Sequence, residues 1–194
     1  MKTTYGRVSR YGLIAMASSL DQIGPITKTV EDAEIMAHAL AGVDVYDATT
    51  IQLSNKKTES KKIGVMAKLL EIEGLDKDVK QNFNEAIEKF KSLGYEIVPI
   101  DLPHIDYSLP IYYIICPAEV SSNMARFDGM RFGKKISGDN LLADYMETRG
   151  TLLGKEVKRR IMIGTYVLSS GYYDSYYGKA GIVRELIKRD FEKV

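Results

Sequence analysis

The sequence predicts an α/β fold, and three observations carry that reading. Residues 63 to 100 run strand, helix, strand, the unit whose crossover joins two parallel strands. An apolar run behind a Gly-punctuated opening turn, Gly12 to Ala17, reads as a further strand. From about Leu109 onward the apolar spacing is helical, with no strand alternation.

Each element has a local reason. Thr29 is placed to cap a helix through Val30, Ala33, Ile35, Met36, Ala37 and Leu40, with Asp32 three residues on and Gly42 ending it. Residues 44 to 62 hold Asp, Thr, Ser, Asn and Lys with little periodicity and read as an exposed connection. Ile63 to Met66 is a short strand. Asp76 to Leu93 is a helix whose Val79, Phe83, Ala86, Ile87 and Phe90 share one face, closed by Gly94. Tyr95 to Ile100 alternates as the second strand. Helices are expected over Ile111 to Arg126, near Leu141 to Glu147, over Lys155 to Ser169 and over Gly171 to Glu192, Pro117 threatening a kink in the first of them.

With 194 residues, 45% hydrophobic and 27% charged, the composition is that of an ordinary globular chain, and residues 1 to 194 are expected to form a single domain. Basic and acidic residues number 27 and 26, so no overall field recommends nucleic acid or an anionic membrane as a direct partner. One cysteine excludes an intrachain disulfide and fits a reducing compartment. No secretory h-region opens the chain and no apolar run nears the roughly 20 residues of a membrane span, so a soluble, cytoplasmic protein is expected. Two histidines and one cysteine offer no zinc spacing. No glycine-rich phosphate loop is present, so ATP is not expected to bind this chain.

Two strings are too distinctive to be core filler: TYGRVSRYGLIAMASSLDQIGPITKT at residues 4 to 29 and KEVKRRIMIGTYVLSSGYYDSYY at residues 155 to 177. The S-L-D-x-x-G-P core, Ser19 to Pro25, resembles the amidase signature family of Ser-Ser-Lys amide hydrolases. The Tyr5 to Arg10 lead and the block from Lys158 to Tyr177 resemble the branch formed by the A subunits of tRNA-dependent amidotransferases. The resemblance covers nearly the whole chain and weakens through 44 to 62 and 134 to 147. It implies the amidase α/β fold, a mixed sheet covered by helices, of which this chain is an incomplete piece from the central to late part, truncated at both ends.

What the resemblance implies about chemistry follows from that branch. Its A subunit hydrolyses glutamine, and the ammonia converts Glu-tRNA(Gln) or Asp-tRNA(Asn) into Gln-tRNA(Gln) or Asn-tRNA(Asn). A B subunit uses ATP and Mg²⁺ and holds the mischarged tRNA, and a C subunit completes the heterotrimer. The family's nucleophilic serine, second serine and lysine are expected upstream of Tyr5, so no catalytic residue is expected here and the isolated chain is expected to be inactive. Two substrate contacts carry over by position: Arg160, in the Glu156 to Ile161 string, for the glutamine carboxylate, and Tyr112. A guanidinium suits a carboxylate because it presents parallel charge-assisted donors. The alternatives are a stand-alone hydrolase of small amides and a noncatalytic module that binds the B and C subunits.

Other residues read more plainly. Ser18-Ser19 reads as a turn-fixing pair before Asp21, and Cys116 as a small buried hydrophobe. Lys158 and Arg159 read as solvated helix charges. Glu119, Asn123 and Arg126 fall on one helix face and, with Asp128 and Arg131, read as a polar brace. Tyr172, Tyr173, Tyr176 and Tyr177 read as a packing surface.

Overall fold

A computed structural model describes residues 1–52 and 60–194; the middle of the expected connection at 44 to 62 lies outside the described residues. The chain divides into two units, one built from Met1–Ser54 and Pro110–Gly181, the other from Asn55–Leu109 and Ile182–Val194.

The second unit holds the parallel pair. Strand β1, Lys62–Val65, runs parallel to β2, Glu96–Pro99, with Ile63 opposite Ile97 and Gly64 opposite Val98. The crossover is helix α2, Lys77–Ser92. Asp76 caps its first turn by accepting from the Asp78 N–H at 2.8 Å. At the other end Gly94 takes a φ of +81°, a conformation that suits glycine because it has no Cβ. The Gly94 N–H then reaches the Lys91 carbonyl, and the Tyr95 N–H the Phe90 carbonyl, the paired closure of a Schellman motif. Phe90 and Tyr95 meet edge to face across it, 5.4 Å between centroids. In the same unit Asp190, 3% exposed, accepts from the His104 backbone N–H and faces His104 Nδ1, both at 2.9 Å.

The first unit contains α1 (Val30–Leu40), α4 (Leu141–Leu152), α5 (Lys155–Val167) and most of α3 (Ser108–Met124). Thr29 caps α1 through the Asp32 N–H, as its spacing predicts. Its apolar face, however, is largely open: Val30 is 86% and Ile35 65% exposed, and only Ala37 is buried. The core lies instead where Ala17, Cys116 and Val120 pack with Leu20, Met124 and Ile161. Pro117 does not break α3, which runs through it. Here α3 meets α5 at Gly164, where a Cβ would stand 1.9 Å from the Pro117 carbonyl oxygen.

Two expectations are corrected. Gly12 to Ala17 forms no strand, because the Asp21 carboxylate takes the backbone donors of Met16 and Ala17 at 2.9 and 3.0 Å, leaving them unavailable to a ladder. The helix expected from Gly171 starts only at Lys179, as α6 (Lys179–Glu192). Gly171, at φ +85°, turns the chain after α5, and a π turn over Asp174–Gly178 follows, closed by the Gly178 N–H on the Tyr173 carbonyl.

The opening string is a clasp. Tyr5 Oη donates to the Ser18 carbonyl at 2.9 Å, the Arg10 guanidinium donates to the same oxygen, and Arg10 lies over the Tyr5 ring. Asp47, 9% exposed, accepts from the Thr49 hydroxyl and from the backbone N–H groups of Arg10 and Thr49. The Thr49 hydroxyl above all, then those amides, hold its carboxyl down at about 2. A folded-state pKa below the unfolded one stabilises above the unfolded value, near 4, and the stabilisation fades as pH falls through the folded value. Asp47→Asn is therefore expected to lower the urea midpoint at neutral pH and to flatten its fall between about pH 4 and 2. Parallel curves for the two proteins over that window would rule this out.

Candidate functional site

Arg160 and Tyr112 are 48 positions apart in sequence, yet Arg160 Nη1 donates to Tyr112 Oη at 2.8 Å. Helix periodicity explains the meeting. Tyr112 and Cys116 are one turn apart on α3, and Arg160 on α5 lies against both, its Nη1 standing 3.7 Å from the Cys116 sulfur. The guanidinium carbon sits 5.8 Å from the Tyr112 ring centroid. Arg160 Nε donates to Glu156 Oε1 at 2.8 Å, one turn back along α5.

Glu156 is shared. Arg159 grips it with two bonds of 2.7 Å, Nε to Oε2 and Nη2 to Oε1. The bonds from Arg159 and then Arg160 hold the Glu156 carboxyl at about 2, and the bonds to Tyr112 and Glu156 raise the Arg160 pKa. Arg160 thus stays charged at any relevant pH. Its Nε and Nη1 are occupied, whereas Nη2 makes no hydrogen bond among the described residues. Because Tyr112 Oη accepts from Arg160, its own proton is left to point elsewhere. A guanidinium edge and a phenol proton side by side form a donor pair matched to a carboxylate.

The polar brace is real, and its targets are the serine pair. Glu119 accepts from the Ser19 N–H at 2.8 Å and from the Ser19 hydroxyl. Asn123, 7% exposed, donates to the Met16 carbonyl at 3.1 Å and to the Ser18 hydroxyl at 3.0 Å, while Arg126 Nη2 donates to Asn123 Oδ1. Asp128 closes its own turn, on the Met130 N–H, and Arg131 is exposed. Cys116 is buried, at 1%.

Arg159 is exposed, as expected of a solvated helix charge, and Lys158 is half-buried. Lys158 Nζ donates to the Gly150 carbonyl at 2.8 Å, and Arg159 belongs to Glu156. Sequence reasoning missed Glu156 altogether, although its i, i+3 and i, i+4 spacing to two arginines is a readable signal. The tyrosines split into two sets: Tyr166, Tyr172 and Tyr176 cluster, with Tyr166 and Tyr172 centroids 4.3 Å apart, while Tyr173 and Tyr177 pair at 5.2 Å. Tyr172, Tyr173 and Tyr176 are exposed.

The sequence profile of the Amidase family matches residues 1–194. The chain belongs to the amidase family. Among curated amidase relatives, the A subunit of a Glutamyl-tRNA(Gln) amidotransferase from Fusobacterium nucleatum is 52% identical over 202 residues, and its counterpart from Thermodesulfovibrio yellowstonii is 50% identical over 201. Each alignment takes in 100% of this chain and 41% of the relative, so the chain spans about two fifths of the relatives it matches. The crystal structure of the A subunit of a Glutamyl-tRNA(Gln) amidotransferase from Thermotoga maritima superimposes with a TM-score of 0.67 at 40% identity, covering 98% of this chain and 38% of that one. A crystal structure of an amidase, 21% identical, shares the fold with a TM-score of 0.68. The described part of this chain is thus an α/β piece of the amidase fold. Among the described residues no helix is long and apolar enough to cross a membrane.

Proposed function

We propose that this chain is part of the glutamine-hydrolysing A subunit of a tRNA-dependent amidotransferase, and that Arg160 and Tyr112 hold the α-carboxylate of glutamine. The observation that carries the reading is the donor pair left open when Arg160 Nη1 bonds Tyr112 Oη at 2.8 Å. Support for the substrate class comes from the relatives' names, at 50% and 52% identity across the whole chain. In the binding step the carboxylate meets the fixed positive edge of Arg160 and the Tyr112 hydroxyl proton. Glu156 and Cys116 keep the guanidinium from rotating away, and the amide end of glutamine is left to point toward the hydrolytic groups.

Those groups are a serine, a second serine and a lysine in the amidase pattern, supplied by sequence outside this chain. Ser18 and Ser19 are poor substitutes, because their side chains serve Asn123 and Glu119. The 194-residue chain by itself is therefore expected to release no ammonia from glutamine above a buffer control. Measurable turnover by the purified chain would overturn the assignment of chemistry to residues elsewhere.

In this reading the ammonia passes to a B subunit that activates Glu-tRNA(Gln) or Asp-tRNA(Asn) with ATP and Mg²⁺, and a C subunit joins the two. The deciding experiment places this sequence in a complete A subunit, co-expresses it with B and C, and assays both mischarged tRNAs with glutamine and ATP. Conversion of either tRNA is expected. Hydrolysis of simple amides without partner subunits would favour a stand-alone amidase, and a stable complex without glutamine turnover would favour a noncatalytic module.

A further inference from the structure

A cleft of about 440 Å³ opens in the first unit between α3, the Ser18-Ser19 turn and the segment after α5, lined among others by Ser18, Glu119, Ser122, Leu168, Tyr173 and Tyr177. Tyr112, Cys116, Glu119 and Asn123 follow one another at helical spacing along α3. Glu119 lies seven residues beyond Tyr112, which is about 10 Å along the axis. The cleft is therefore separate from the carboxylate clamp.

Three features of the cleft are unusual together. Glu119 is a half-buried carboxylate whose partners are neutral, the N–H and hydroxyl of Ser19, and it has no ion-pair partner among the described residues. Each of its oxygens keeps a further lone pair, and a partly desolvated carboxylate gains from a cation that fills it. Secondly, the Tyr173 and Tyr177 rings, paired with centroids 5.2 Å apart at 36°, line the cleft together, and an aromatic face attracts a cation held within about 6 Å of its centroid. Thirdly, the Ser122 hydroxyl donates to the Ala118 carbonyl, which commits its proton and leaves its lone pairs for an incoming donor. Leu168 and Ala118 supply a short apolar wall.

We propose that this cleft binds a small-molecule primary alkylammonium. The three N–H donors of such a group match Glu119 and the serine hydroxyls, its charge lies against the tyrosine pair, and its alkyl part meets Leu168 and Ala118. A divalent metal is a poor fit, since no group of three His, Cys, Asp or Glu side chains that could hold one exists among the described residues. An anion would face the carboxylate. The site goes beyond the glutamine reading and stands whether or not that reading holds.

The test is calorimetric titration of the 194-residue chain at pH 7 and constant ionic strength with n-propylammonium chloride, and in parallel with 1-propanol and potassium chloride. Saturable one-site binding is expected for propylammonium alone. Glu119→Gln should weaken it about tenfold, by removing the charge from a charge-assisted contact, and Tyr173→Leu about threefold, the size of an exposed cation–π contact. No saturable heat, equal binding of propanol or potassium, or undiminished binding to a folded Glu119→Gln variant would each overturn the proposal. Should Glu119→Gln lose its helical circular dichroism, Tyr173→Leu decides, because Tyr173 is 47% exposed and its truncation spares the core; unchanged affinity there would overturn the proposal as well.

Discussion

Gly164→Ala is expected to destabilise the first unit by about 3 kcal/mol, despite alanine being the better helix former by about 1 kcal/mol. The methyl group would sit 1.9 Å from the Pro117 oxygen, 2.5 Å from its carbonyl carbon and 2.8 Å from Ser121 Cβ. Two of those three atoms are backbone, so no side-chain rotation relieves the clash. The helices must separate, and the Ala17, Cys116 and Val120 core opens with them. Gly150 on α4 is the internal control, since a Cβ there meets nothing within 4 Å; Gly150→Ala should stabilise by roughly 0.5–1 kcal/mol. Urea unfolding of both variants measures the contrast. A Gly164→Ala midpoint at or above that of the parent would mean that α3 and α5 do not cross at these residues.

Arg160→Lys in a complete A subunit is expected to raise KM for glutamine about 100-fold while leaving kcat within a few fold, the pattern of lost ground-state binding. The size follows from losing charge-assisted bonds worth roughly 1.5–3 kcal/mol in total. Lysine keeps the charge but not the planar fork that Glu156, Tyr112 and a carboxylate share. Tyr112→Phe removes one neutral donor and should cost about tenfold in KM. Arg159→Ala provides the contrast: Arg159 shares Glu156 but makes no contact with Tyr112, so KM should stay within about twofold. If Arg160→Lys and Arg159→Ala behaved alike, the carboxylate role of Arg160 would be untenable.

What could be read from the residues was whatever the chain encodes locally. Thr29, Asp76 and Gly94 mark the helix ends they were expected to mark, because a cap is a contact within a few positions. The parallel pairing of β1 and β2 follows from a helix long enough to cross over. Where the reading failed, a bond outside the pattern had won. Asp21 removed the donors that a strand at Gly12 to Ala17 would need, and Gly171 broke an apolar pattern that otherwise continues as helix. Periodicity also set the faces of α1 and α2 without saying what covers them: Val79, Phe83 and Phe90 remain more than 40% exposed.

The candidate site was legible only in part and for the same reason. Nothing in spacing could bring Tyr112 to Arg160, and the two were singled out through resemblance alone. Glu156 was within reach of helix arithmetic, whereas the bond from the Ser19 N–H to Glu119, across 100 positions, was not.

The single cysteine turns the α3–α5 crossing into a clock. Cys116 is 1% exposed, in contact with the Ala17 and Val120 cluster and within 3.7 Å of Arg160. A thiol-alkylating reagent therefore finds it only in molecules whose helices have parted. When closing outruns alkylation, the observed rate divided by that of an unhindered thiol is the opening equilibrium constant itself. With no other thiol in these 194 residues, one mass spectrum per time point on this chain would report the breathing of the α3–α5 crossing, and a ligand that grips Arg160 would slow the clock by the factor its binding adds to the closed form.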